Sequence, residues 1–228
     1  DIDLWLIKAL GELMLREDPA LTFAMTTDYA MHKYSPQSSE SKRHMNGIDM
    51  HLREVSEFLE DRGDDFLLCI TADHGMSDKR VAINLEITLR RYGIKSKLNS
   101  IIADRYVVHH RNLGGAAYIY LKKPEETLKA LKILRETEGV EAALTRDEAS
   151  KLYHLDKDRI GDILVLGEKD YVFGLLDQER IEVSMRSHGS LHESRVPIII
   201  NEPTPKVRGI VENKDVAEIA LNWLITRK

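Results

Sequence analysis

Two short apolar runs, residues 21–26 and 66–71, each lead directly into an aspartate and a histidine. Runs of this length bounded by turn residues read as buried strands rather than helices. Polar groups at the end of a buried strand are unfavourable unless something compensates them. Between the two runs, Met45, Ile48, Leu52, Val55 and Leu59 trace one face of a helix, which Asp61-Arg62-Gly63-Asp64 ends. Strand, helix and strand in succession argue for a largely parallel α/β sheet with helices on its faces. In such sheets the active site lies beyond the carboxyl ends of the strands. Asp28 and Asp73 both fall at that place.

The rest of the chain splits around this core. Residues 1–16 read as an amphipathic helix that Glu17-Asp18-Pro19 breaks, and residues 35–41 form a polar loop. Residues 106–109 and Ala116–Leu121 read as strands. Residues 124–138 read as a helix with Leu128, Leu131 and Leu134 facing inward. Residues 161–166 and 171–175 look like a hairpin pair. Residues 196–200 return to the buried-strand pattern, and Val216, Ile219, Ala220 and Trp223 share a face of a closing helix. The expected organisation is a discontinuous core, 1–82 with 184–228, carrying an inserted α+β cap at 83–183.

Composition removes several classes of function. With 228 residues the chain can bury a real core. No apolar run approaches the roughly 18 residues needed to span a bilayer. A net charge of -5 gives no footprint for nucleic acid. Cys69 is the single cysteine, so an internal disulfide and a Cys-rich zinc site are excluded, and a reducing cytoplasm is the expected compartment. The chain opens on DIDLW, which reads as the middle of a protein.

Chemistry concentrates in three places. Asp28 and His32 lie four residues apart and share a face if the chain turns helical there, making half of a metal site. The alternative is an Asp28 helix cap beside a surface His32. Asp73-His74-Gly75 puts a carboxylate and an imidazole side by side, with a glycine that permits a sharp turn. The alternative is an Asp73 cap beside a core histidine. His188-Gly189 precedes the last strand and fits a third ligand group. His192 and Glu193 are weaker candidates for the same role. Adjacent side chains in a strand point to opposite faces, so His109 and His110 do not readily share an ion. Nitrogen and carboxylate ligands without thiolate suit zinc, with manganese or iron as alternatives. Two neighbouring ions would clamp the attacking and leaving oxygens of a displacement at phosphorus.

These motifs resemble the alkaline phosphatase superfamily, and within it the phosphonoacetate hydrolases. The likeness extends to Thr26-Thr27-Asp28-Tyr29, His32-Lys33-Tyr34, Thr71-Ala72-Asp73-His74-Gly75-Met76, Tyr106-Val107-Val108-His109-His110, Asp158-Arg159-Ile160-Gly161-Asp162 and Val196-Pro197, and so covers essentially the whole chain. It implies an alkaline phosphatase-like three-layer sandwich. It assigns Asp28, His32 and His188 to one zinc, with His32 also at the substrate, and Asp73 and His74 to a second zinc. In the family another Asp and a nucleophilic Thr complete the second site, and lysines hold the substrate carboxylate. None of these has a counterpart here, so no catalytic nucleophile is identified in this chain. They belong to an N-terminal segment that precedes Asp1 in the family's layout. Thr27 and Thr71 neighbour ligands but match residues that are not nucleophiles.

The implied activity is zinc-dependent cleavage of the carbon–phosphorus bond of phosphonoacetate to acetate and phosphate through a phosphoenzyme, with this chain alone inactive. The alternatives are a nucleotide pyrophosphatase/phosphodiesterase of the same superfamily and a catalytically dead metal-binding remnant. The expected partners are a small phosphonate or phosphate ester and a second copy or the absent N-terminal segment, with neither nucleic acid nor membrane.

Overall fold

The computed structural model describes residues 1–103, 110–202 and 212–226. In chain order the elements are α1 (Ile2–Glu17), α2 (Tyr29–Lys33), α3 (Ser39–Arg62), β1 (Cys69–Thr71), β2 (Ser77–Ile83), α4 (Leu85–Arg91) and β3 (Ser96–Ser100). There follow β4 (Ala116–Leu121), α5 (Thr127–Arg135), β5 (Val140–Thr145), α6 (Arg146–Tyr153), β6 (Ile163–Gly167), β7 (Tyr171–Phe173), β8 (Arg180–Ser187), β9 (Ile198–Ile200) and α7 (Asp215–Thr226). They divide between two units, Asp1–Asp73 with Val196–Lys228, and His74–Arg195. The second unit begins before β2 and ends after β8 because these two strands pair with each other.

In the first unit α1 packs on α3, burying Ile7 and Leu59. Both helices have side-chain caps. Asp1 accepts from the Asp3 N–H at 3.0 Å, and Ser38 accepts from the Ser41 N–H at 3.1 Å. A polar cluster joins the helices at one end. His44 Nδ1 lies 2.7 Å from Asp1 Oδ2, and buried Asp3 accepts from the Thr27 N–H at 2.7 Å and the Thr27 hydroxyl at 3.2 Å. Among the described residues this unit's sheet is β1 against β9, antiparallel, with Ile70 opposite Ile199. Asn201 extends that pairing, accepting from the Leu68 N–H at 2.8 Å.

Two expectations, one for this unit and one for the sheets as a whole, are corrected. Residues 21–26 form no strand, and Phe23 is 85% exposed. An apolar run becomes a buried strand only where a neighbour pairs with it, and no described strand does so. The sheets are also mostly antiparallel. Among the described residues only β2 and β7 run parallel. A short apolar run carries no information about the direction from which its partner returns.

The second unit contains a four-stranded antiparallel sheet, in the order β3-β4-β6-β5, and a three-stranded sheet, in the order β7-β2-β8. Its core joins Leu85 and Leu89 of α4, Ile119 of β4, Leu134 of α5, Val165 of β6 and Phe173 of β7. Helix α5 buries Ala130, Leu131 and Leu134. Leu128, expected inside, is exposed, because at 100° per residue it falls outside the arc centred on those three. Strands β6 and β7 exist but form no hairpin. β6 pairs with β4 and β5, and β7 pairs with β2. The expected strand at 106–109, with His109, lies outside the described residues.

Leu21, Phe23 and Met25 together make an exposed apolar stretch of a kind that drives association. The double variant F23S/M25S is expected to bind less of a hydrophobic dye and to self-associate less, with an unchanged melting temperature. Dye fluorescence and sedimentation velocity measure both, and unaltered dye binding would count against the exposure.

Candidate metal centre

Asp28 occupies the cap position of α2, and its carbonyl accepts the His32 N–H at 3.1 Å. Its carboxylate makes no capping hydrogen bond. Asp28 Oδ2 instead lies 3.0 Å from His32 Nε2. The one-turn spacing along α2 is what brings the two together. His32 is buried, so the surface half of the alternative reading fails, while Asp28 does occupy the cap position. Two ligands each about 2.0–2.1 Å from one tetrahedral ion stand roughly 3.3 Å apart. The carboxylate and imidazole therefore already sit near the separation that shared coordination demands.

Asp73 is not a helix cap, since the chain passes from it towards β2. It belongs to the first unit, where its carbonyl accepts from Asn213 Nδ2 at 3.3 Å. His74 begins the second unit. His74 Nδ1 lies 2.9 Å from the Gly75 carbonyl oxygen. A carbonyl only accepts, so Nδ1 carries the hydrogen, and in the neutral ring it is then Nε2 that offers a lone pair to an ion. Such a bond is the usual way a metal-binding imidazole is oriented. The ring of His74 stacks on that of His188, with centroids 3.5 Å apart and planes 6° from parallel.

The glycines beside these histidines have separate roles. Gly189 has φ 107, a left-handed conformation that favours glycine, and a Cβ there would meet Ile101 Cδ1 at 1.9 Å. Gly75 does not have a left-handed φ; what it gives is close approach, since a Cβ there would make a tight 3.2 Å contact with the Glu193 carbonyl oxygen.

Glu193 and His192 prove not to be ligand-like. His192 is exposed and pairs with Glu141 at 2.9 Å. Glu193 is buried and accepts from Ser77 Oγ and Lys79 Nζ on Oε1, and from the Ser190 N–H and hydroxyl on Oε2. Burial pushes its carboxyl up, but these hydrogen bonds more than offset that and hold it below the ordinary 4.5. Lys79 escaped the sequence reading, although a period of two places it with Val81 and Ile83, where a charge demands a buried partner. The cluster of Asp1, Asp3 and His44 also went unread, because nothing in their spacing links them.

The two hydroxyls nearest the aspartates serve the fold. Thr27 donates to Asp3, and Thr71 Oγ donates to the Pro197 carbonyl at 3.0 Å. Burial raises the Cys69 thiol, which keeps it protonated and inert. His110 is buried and accepts from the Asn112 N–H at 3.1 Å.

The chain matches the family described as type I phosphodiesterase / nucleotide pyrophosphatase over residues 3–191. It is similar to phosphonoacetate hydrolase from Sinorhizobium meliloti 1021, solved in complex with phosphonoacetate, at 28% identity and a TM-score of 0.85. That match covers 98% of this chain and 56% of the other. It shares its fold with murine ectonucleotide pyrophosphatase / phosphodiesterase 5 at 16% identity and a TM-score of 0.67, covering 96% of this chain and 58% of that one. A segment is 34% identical to GPI ethanolamine phosphate transferase 1 of Emericella nidulans, covering 34% of this chain and 10% of that protein. The chain thus spans little more than half the length of the solved structures named here.

Breaking a buried ion pair by removing one partner leaves an uncompensated charge. Lys79→Ala is expected to destabilise the second unit by roughly 3–5 kcal/mol in urea unfolding. The Glu193 pKa is depressed on folding, so its contribution is complete above about pH 4.5 and is lost as pH falls through the lower folded value. Glu193→Gln should therefore flatten the acid limb of the stability profile, and an unchanged limb would contradict this assignment.

Proposed function

The chain belongs to the type I phosphodiesterase / nucleotide pyrophosphatase family, and from that premise we propose that it forms the metal-binding part of a hydrolase acting at phosphorus. Asp28, His32 and His188 hold one ion in this reading, and Asp73 with His74 contribute to a second. Zinc suits these nitrogen and oxygen donors, with manganese or iron as alternatives. The observation that carries the reading is the Asp28–His32 pair, a buried imidazole held 3.0 Å from a carboxylate oxygen.

The substrate proposed is phosphonoacetate. In this reading a hydroxyl oxygen bonds to phosphorus as the carbon–phosphorus bond breaks. The bonding pair leaves on the acetate carbon, which takes up a proton, and water then releases phosphate from the phosphoenzyme. When bound, the ions supply Lewis acidity to the oxygens around phosphorus. His32 lies against the substrate in this reading, its ring orientation set by Asp28. His74 is oriented by the Gly75 carbonyl. The attacking hydroxyl of the family is a Thr that no residue of this chain matches, and Thr27 and Thr71 are committed elsewhere. The 228-residue chain by itself is therefore expected to bind metal and not to turn over. The family description keeps a nucleotide phosphodiesterase as the second reading.

Zinc titration of the chelator-treated chain tests the metal. Saturable binding that Asp28→Ala or His188→Ala abolishes is expected, and absence of binding in the folded chain would leave a remnant without metal. Thermal shift of the zinc-loaded chain tests the substrate, because a ligand that binds only the folded state raises the melting temperature. Phosphonoacetate is expected to raise it more than a nucleoside monophosphate, and the reverse order would favour the second reading. Release of phosphate from phosphonoacetate by this chain would show that the nucleophile is present after all.

A further inference from the structure

The ladder between β2 and β8 brings the His74 and His188 loops together but stops short of both histidines. At that end its last pairs are Asp78 with Arg186 and then Ser77 with Ser187. The ring stack therefore lies beyond the last ladder pair. Two contacts continue the join. The Gly75 N–H donates to the Glu193 carbonyl at 2.7 Å, and Ser77 Oγ donates to Glu193 Oε1. Within the His188 loop the Ser190 N–H donates to Glu193 Oε2 at 2.9 Å. Each loop also has its own brace. The Gly115 N–H donates to the His188 carbonyl at 2.7 Å, and Arg186 donates to the Met76 carbonyl at 3.2 Å.

Glu193 thus joins the two loops, and Lys79 holds Glu193. Lys79 Nζ lies 3.0 Å from Glu193 Oε1 and 2.7 Å from the Lys169 carbonyl. The side chains of both members of the pair are at most 1% exposed. A buried ion pair is seldom better for stability than apolar side chains of the same volume. An apolar residue at 193, however, could not accept both from Ser77 at the start of β2 and from Ser190 in the His188 loop. Each carboxylate oxygen already takes two donors, which leaves no lone pair for an ion.

We infer that Glu193, held by Lys79, is a positioning residue that sets the His74 and His188 rings for metal binding. The inference rests on the reading of those two histidines as ligands. Outer-shell partners of metal ligands typically contribute about 10–100-fold to metal affinity.

Two readouts on the 228-residue chain test it. Glu193→Gln replaces one accepting oxygen with an amide donor, and Ser77→Ala removes a single hydroxyl from the half-buried start of β2 without leaving a buried charge. In the metal-free chain, imidazole proton–nitrogen spectra are expected to show the His74 and His188 signals displaced in both variants, with those of His51 and His154 unmoved. Zinc affinity is expected to fall about tenfold or more in Glu193→Gln, and by a smaller factor in Ser77→Ala. A role confined to stability would lower the melting temperature and leave the imidazole signals of the folded chain in place, which would overturn the inference. If Glu193→Gln does not fold, Ser77→Ala decides. If the parent chain binds no zinc, the metal reading fails, and the imidazole signals still show whether Glu193 sets the rings.

Discussion

Across the ladder of the second unit Ser77 faces Ser187 and Asp78 faces Arg186, and this register decides which side chains can meet at its end. A shift of one residue would turn Lys79 out of the interior and its partner's loop with it. Hydrogen bonds alone do not hold the register. Ile83, at the far end of β2, belongs to the core built by Leu85, Ile119, Leu134 and Phe173. At the near end a fully buried lysine must find its carboxylate, and Glu193 is where it finds it. The ladder is thus held by apolar packing at one end and by a charge requirement at the other.

The first unit solves a similar problem with less apolar surface. Its helices α1 and α3 bury little beyond Ile7 and Leu59, and many of its large apolar side chains are exposed. Polar bonds carry correspondingly more of the local order. Asp3 holds Thr27 through both its backbone and its hydroxyl, and Thr27 immediately precedes Asp28. The carboxylate that meets His32 is therefore fixed from the preceding residue as well as by the turn of α2. Across the same helix pair Arg62 reaches Asp18 at 2.6 Å, an exposed contact of the kind that adds little.

Local pattern was enough for several elements. Met45, Val55 and Leu59 lie on α3, Ala116–Leu121 is β4 as expected, and the reading of residues 66–71 and 196–200 as buried strands survives only in part, over the three-residue β1 and β9, whose residues are half-buried or exposed. Asp28 and His32 meet because four residues make about one helical turn, which depends on nothing distant. Residues 21–26 misled because apolar character was read without a pairing partner. The supposed hairpin of β6 and β7 misled because proximity in sequence was taken for pairing. Leu128 misled because its spacing from Leu131 was judged without Ala130, whose burial shifts the centre of the face.

The sequence by itself offered the candidate donors: two carboxylates and three imidazoles at strand or helix ends, with glycine beside His74 and His188. It also determined the Asp28–His32 contact, since both residues lie within one turn. Only tertiary structure decided that His74 and His188 stack, that Glu193 is an internal acceptor rather than a ligand, and that Lys79 is its counter-charge. The physical reason is range. Helical contacts follow from a repeat that any short segment carries, whereas these three pairings join residues far apart in the chain, and the antiparallel return of β8 along β2 brings them together.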